Sequence, residues 1–97
     1  MSDGLPATLR LKVVTPTRLL VEAEVEAVFL PTLEGQIGVL PGHRPLFVAI
    51  GRGRLIYREG GGEDSFAIRG GYAQVQPEKV VVMTEAGEDD DSGADAA

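Results

Sequence analysis

An all-β fold, a two-sheet antiparallel β-sandwich of about ten short strands, is what this 97-residue sequence predicts. Three observations carry that expectation. Apolar and polar residues alternate with a period of two in segment after segment, turn-forming residues recur every eight or so positions, and no stretch sustains a helical period.

The first strand is read over Thr8–Val14, where Leu9, Leu11 and Val13 face one way and Thr8, Arg10 and Lys12 the other. Thr15-Pro16-Thr17 ends it. Residues 18–30 are rich in Leu, Glu and Ala, all good helix formers. Their period decides against a helix: Val21, Ala23, Val25, Ala27 and Phe29 alternate with Glu22, Glu24 and Glu26. The reading is two short strands or one long bent one, with Val25, Ala27 and Phe29 buried. Further strands follow at Leu46–Ile50, Arg54–Arg58, Ser65–Arg69, Tyr72–Gln76 and Lys79–Thr84. Between them Gly51-Arg52-Gly53 and Pro77-Glu78 read as turns, and Glu59–Asp64 as an exposed hairpin loop. Gly70-Gly71 suggests a bulge or a close approach of two backbones.

Glu34–Pro45, EGQIGVLPGHRP, concentrates three glycines, two prolines and the single histidine in twelve residues. Glycine permits positive φ, and proline fixes φ and removes a donor. The segment is read as one shaped loop built for contact with a partner.

The net charge of −6 is unevenly placed: six of the fifteen acids lie from Glu85 onward, where no Lys or Arg occurs. The body is therefore neutral, which argues against nucleic-acid binding. Residues 1–86 are expected to form one domain, and the acidic residues 87–97, without an aromatic or β-branched side chain, a disordered tail. No apolar run approaches the roughly 20 residues of a membrane span. The N-terminus does not read as a secretory leader. The lack of cysteine agrees with a reducing compartment.

Residue inventory disfavours catalysis. Serine occurs only at Ser2, Ser65 and Ser92, so a serine triad would need Ser65 beside His43, and nothing in the sequence favours that pairing. One histidine without cysteine is a poor zinc set, and no phosphate-cradling glycine motif is present. No catalytic, cofactor-binding or metal-binding residue is assigned, and no cofactor is expected. The Glu22, Glu24, Glu26 stripe is read as a solvated strand face, with a cation site as the alternative. Arg52, Arg54 and Arg58 share a face that is either solvated or grips an acidic partner. His43 is read as a structural or interface side chain, the alternative being a base or pH sensor.

Two long segments, LKVVTPTRLLVEAEVEAVFLPTLEGQIGVLPGHRPLFVAI and FAIRGGYAQVQPEKVVVMTE, together resemble the N-terminal β-sandwich domain of the epsilon subunit of F-type ATP synthase. The most specific pieces are the EG-x-x-G-x-x-PGH segment at Glu34–His43, Gly70-Gly71, and the Val75-Gln76-Pro77 turn with its following strand. The resemblance implies a non-catalytic rotor subunit of the central stalk that links the gamma subunit to the polar loops of the membrane c-ring. Proton translocation would thereby be coupled to ATP synthesis. It further implies a peripheral place on the cytoplasmic face of the bacterial inner membrane, and a chain that is monomeric in isolation. By the family pattern, Glu34, Gly35, Gln36, Gly38, Pro41, Gly42 and His43 face the c-ring. Gln36 stands where relatives often carry an acid. The family's C-terminal helical hairpin, with its inhibitory arm, has no counterpart pattern after Glu85, so neither inhibition nor ATP binding is carried over. The rival expectation is a free-standing β-sandwich module that binds peptide or carbohydrate.

Overall fold

Alternation of buried and exposed side chains organises the chain, and the places where it changes phase give the molecule its shape. A computed structural model describes residues 7–87. The expected acidic tail lies, but for Gly87, outside the described residues. In β1 (Leu9–Val14), Leu9, Leu11 and Val13 are buried while Arg10 and Lys12 are exposed. Seven more strands follow: β2 (Leu19–Val25), β3 (Ala27–Thr32), β4 (Gly35–Val39), β5 (Leu46–Ala49), β6 (Arg52–Glu59), β7 (Gly62–Gln76) and β8 (Lys79–Gly87). No helix occurs among the described residues.

The strands form one hydrogen-bonded path, β2-β1-β8-β7-β6-β3-β4, with β5 also paired to β7. That path folds over on itself at two corners. The first is Gly70-Gly71 inside β7. Before it Ile68 is buried and Arg69 exposed; after it Ala73 and Val75 are buried and Tyr72 and Gln74 exposed. The inward face thus shifts from even to odd positions, although the β7–β8 register runs without a slip from Gln76↔Lys79 to Ile68↔Gly87. Both glycines have positive φ, 74° and 107°, a region other L-residues avoid. A Cβ on Gly71 would run into the Met83 carbonyl oxygen and lie 2.8 Å from Thr84 Cα. Two hydrogen bonds, Ile50 N–H to Gly71 O and Gly70 N–H to Gly51 O, tie the crossing to the break between β5 and β6.

Glu26, between β2 and β3, makes the second corner, its N–H donating to Arg58 O. Val25 is fully buried on one side of it, Val28 and Leu30 on the other. The expected burial of Val25 and Ala27 holds, but Phe29 is displaced outward by this phase change. It is partly exposed, under the Arg58 guanidinium at 5.8 Å from the ring centroid. A single alternation drawn through residues 21–29 could not register the extra step at the corner.

The result is a sandwich. One half is β2-β1-β8, the C-terminal part of β7, and β5; the other is β4-β3-β6 and the N-terminal part of β7. Leu11, Val13, Val80 and Val82 from the first half meet Val28, Leu30, Val39 and Leu55 from the second in one core. Each buried side chain of this size contributes about 1.5–3 kcal/mol. One pairing, β1 with β8, is parallel, and the rest are antiparallel.

Among the described residues eight strands stand where about ten were expected. Ser65–Arg69 and Tyr72–Gln76 fuse into β7 because the glycine corner keeps its ladder to β8 intact. The Glu59–Asp64 loop shrinks to a two-residue turn, Gly60-Gly61, with φ of 60° and 85°. That is the geometry of a tight hairpin matching strand twist.

Gly71→Ala should lower unfolding free energy by at least about 3 kcal/mol, combining left-handed strain with a backbone collision. Gly62→Ala, exposed and with an ordinary φ, should stay within about 0.5 kcal/mol. A urea titration of both variants checks this, and equal losses would contradict the corner assignment.

Candidate partner interface

The exposed surface of the first half-sheet carries a row of apolar residues crossing all five strands. The ladder registers place them side by side: Leu19 with Val14, Val14 with Met83, Met83 with Tyr72, and Tyr72 with Ala49. Four interstrand steps make the row about 19 Å long. Tyr72 is 52% exposed, Leu19 50% and Met83 41%, with Phe47 beside them at 62%. The Phe47 and Tyr72 rings stack at 5.4 Å. Stacked aromatics held open to solvent are a costly arrangement for a surface with no partner. A groove of about 420 Å³ runs along the row, lined by Val14, Pro16, Tyr72, Met83 and neighbouring Thr and Glu side chains. The parallel row one step away, Glu22, Lys12, Val81, Gln74 and Phe47, is mostly polar, so the apolar band has an edge.

The seven residues expected to face a partner do not form one loop. Among the described residues Gly35–Val39 is an edge strand paired with β3 alone, so the segment divides into two turns about 16 Å apart. At one end, Leu33-Glu34 turns the chain, secured by Thr32 Oγ1, which accepts from Glu34 N–H and donates to Gly35 O. Leu33 is 73% exposed there and lies near Phe47 across a cleft of about 340 Å³. Gln36 projects from β4 opposite Pro31. Gly38 is matched to Phe29, and a Cβ on it would press to 3.2 Å from that ring, so its absence of a side chain makes room for the aromatic.

At the other end are Pro41, Gly42 and His43. Gly42 has φ of 90°, and its N–H donates to Pro77 O, fastening this turn to the β7–β8 turn. His43 N–H donates to Leu40 O, while its Nδ1 lies 2.7 Å from Arg44 O, which sets that nitrogen as a donor. Ser65 lies toward the opposite end of β7 and accepts from Arg54 Nε, so the structure does not bring Ser65 and His43 together.

The glutamate stripe is largely engaged. Arg10 lies 3.7 Å from Glu22 and 3.2 Å from Glu24, and Thr8 Oγ1 donates to Glu24. Arg58 pairs with Glu63 at 3.5 Å, and all of these pairs are exposed. Burial, reinforced by Asp64 and Glu59, pushes the Tyr57 phenol above its ordinary pKa, so it stays protonated at neutral pH.

Sequence reasoning did not pick out the apolar row. A signal was present in Lys79–Thr84, KVVVMT, where Val80 and Val82 point inward and Val81 and Met83 outward. A strand apolar on both faces is one with both faces covered.

Comparison with known proteins agrees with this architecture. The family model for the ATP synthase delta/epsilon chain, beta-sandwich domain, matches residues 8–90. The ATP synthase epsilon chain of Solibacter usitatus is 40% identical over 84 residues, covering 87% of this chain and 63% of that one. Its counterpart in Alkalihalophilus pseudofirmus is 35% identical over 82 residues, covering 84% and 62%. The chain therefore spans about three fifths of the length of these relatives. A chain in the cryo-EM structure of the Euglena gracilis mitochondrial ATP synthase, comprising OSCP, F1 and c-ring, superposes with a TM-score of 0.80 at 32% identity, over 89% of this chain and 56% of that one. A chain of the Tetrahymena thermophila central stalk and c-ring shares the fold alone, with a TM-score of 0.68 at 13% identity over 81% of this chain and 64% of that one. An eight-stranded sandwich cornered at Gly70-Gly71 and matched over almost all its described length makes this chain a member of the ATP synthase delta/epsilon family, in its β-sandwich domain.

Proposed function

We infer that this chain acts as the epsilon-type subunit of a rotary ATP synthase, a non-catalytic coupling between the gamma subunit and the c-ring at the cytoplasmic face of a bacterial inner membrane. The apolar row through Val14, Met83 and Tyr72 carries this reading, because it offers an apolar anchoring surface that ordinary solvent exposure does not explain. Gamma docks on that row, with Phe47 and Tyr72 as the rigid aromatic anchors. The turns holding Glu34, Gly35, Gln36 and Gly38, and Pro41, Gly42 and His43, meet the c-ring loops. Torque transmission needs a body that does not yield, and a single packed core with both corners pinned by backbone hydrogen bonds supplies it.

Phe47→Asp and Met83→Asp should each weaken binding of the purified gamma subunit at least tenfold, about 1.4 kcal/mol, measured by titration calorimetry. Both side chains are exposed, so the melting midpoint should move by only a few degrees. Undiminished gamma affinity in both variants, or no gamma binding by the parent chain, would return the free-standing binding module to first place.

His43→Ala should leave stability within about 1 kcal/mol, since it loses one exposed hydrogen bond. Gly42→Val should cost about 1–3 kcal/mol through its positive φ. In complexes reconstituted with the chain, His43→Ala should also lower the protons pumped per ATP hydrolysed. A wild-type pumping ratio would remove His43 from the c-ring contact.

A further inference from the structure

Sulfur chemistry in this chain is confined to thioethers. The sequence has no cysteine and two methionines, Met1 and Met83, of which Met83 is the one among the described residues. It stands at the centre of the apolar row, with Val14 of β1 on one side and Tyr72 of β7 on the other. Its neighbours along β8, Val82 and Thr84, are buried, so the strand turns Met83 outward, where it is 41% exposed. The position is held from behind, since the Met83 carbonyl abuts bare Gly71 at the corner.

A thioether is apolar and polarizable, and a peroxide converts it into a polar sulfoxide. A sulfur lone pair attacks one peroxide oxygen, the O–O bond breaks, and the second oxygen takes up the proton and leaves as water or an alcohol. Sulfur loses two electrons and the peroxide gains them. The new oxygen is a hydrogen-bond acceptor, and the groove of about 420 Å³ beside it leaves it room. Val14 and Pro16, which line that groove, have no side-chain donor. Thr15 Oγ1 donates to Arg18 O, and Thr84 Oγ1 donates to Arg69 O. Stacking on Phe47 leans the Tyr72 ring toward β5, across β7 from Met83. Water therefore satisfies the oxygen in the free chain, and an apolar partner surface covering the row would strip that water away.

We propose that Met83 is a site of reversible sulfoxidation by peroxide in the unassembled chain, and that the sulfoxide blocks docking on the apolar row. This rests on the reading of that row as the gamma-binding surface. The order of events then matters. Gamma bound first shields the sulfur, whereas oxygen added first keeps gamma off until a thiol-dependent methionine sulfoxide reductase removes it. In that reverse step two thiols become a disulfide and the oxygen leaves as water. The row thereby admits the chain to assembly in its reduced form.

Hydrogen peroxide on the full chain, followed by peptide mass spectrometry and titration calorimetry with purified gamma, tests this. Met83 should gain one oxygen at no less than about a third of the rate of free methionine in the same solution, because it is exposed. Gamma added beforehand should suppress that gain. In the oxidised chain the Kd for gamma should rise at least about tenfold, with the melting midpoint moved by only a few degrees. Treatment with both epimer-specific reductases should restore the original Kd. Met83→Leu, whatever its own affinity, should keep that affinity through the peroxide treatment. Resistance of Met83 to peroxide, or an equal peroxide-induced loss in Met83→Leu, would overturn the proposal. A chain that binds gamma equally with and without the Met83 oxygen would overturn it while leaving the gamma surface in place. A chain that binds gamma in neither form would overturn both readings.

Discussion

Contact between the bare backbone of Gly71 and the Met83 carbonyl is the constraint on which the structure depends. It lets β7 continue for fifteen residues while its inward face changes parity, so one strand serves both halves of the sandwich. Without that crossing, β5 and β6 would line up along one flat sheet, and the valines of β1 and β8 would have nothing to pack against. The Glu26 corner repeats the device more mildly, with an ordinary residue and one backbone hydrogen bond to Arg58. Together they convert a single ladder into two faces and a core without a helix among the described residues.

Because both corners flip side-chain phase, the two outer surfaces acquire different chemistry from stretches that read alike in the sequence. Beyond the glycine corner, Tyr72 and Met83 turn outward and join Val14 and Leu19 in an apolar band. Before it, Arg69 turns outward beside Arg52. A partner gripping the first surface by hydrophobic burial leaves the second open to charge-controlled contacts. The two types of interaction respond differently to salt, since exposed charge pairs are screened and apolar burial is not. One small domain thereby presents an apolar surface on one side and a charged one on the other.

Much of the fold was legible from period-two patterning, because burial of one face imposes it directly. Leu9, Leu11 and Val13 are buried as their alternation requires, and the positive φ at Gly42 and the special role of Gly70-Gly71 follow from glycine's place in the chain. Phe29 departs from the alternation because a corner consumes one residue of phase, and nothing in the pattern of glutamates marks where. The Glu34–Pro45 segment reads as one loop because its glycines and prolines look like turn residues. Ile37 and Val39 nonetheless pair with Leu30 and Val28, and cross-strand packing outweighs the weak local preference. The apolar band is hard to read from sequence because its members come from five strands and meet through register.

Hydrogen exchange on the full chain with and without the purified gamma subunit tests the central claim most directly. Gamma should slow exchange along β1, β8 and the C-terminal part of β7, around Val14, Met83 and Tyr72, and leave β6 unchanged. Protection confined to β6 and the N-terminal part of β7, with the Tyr72 surface exchanging freely, would contradict it.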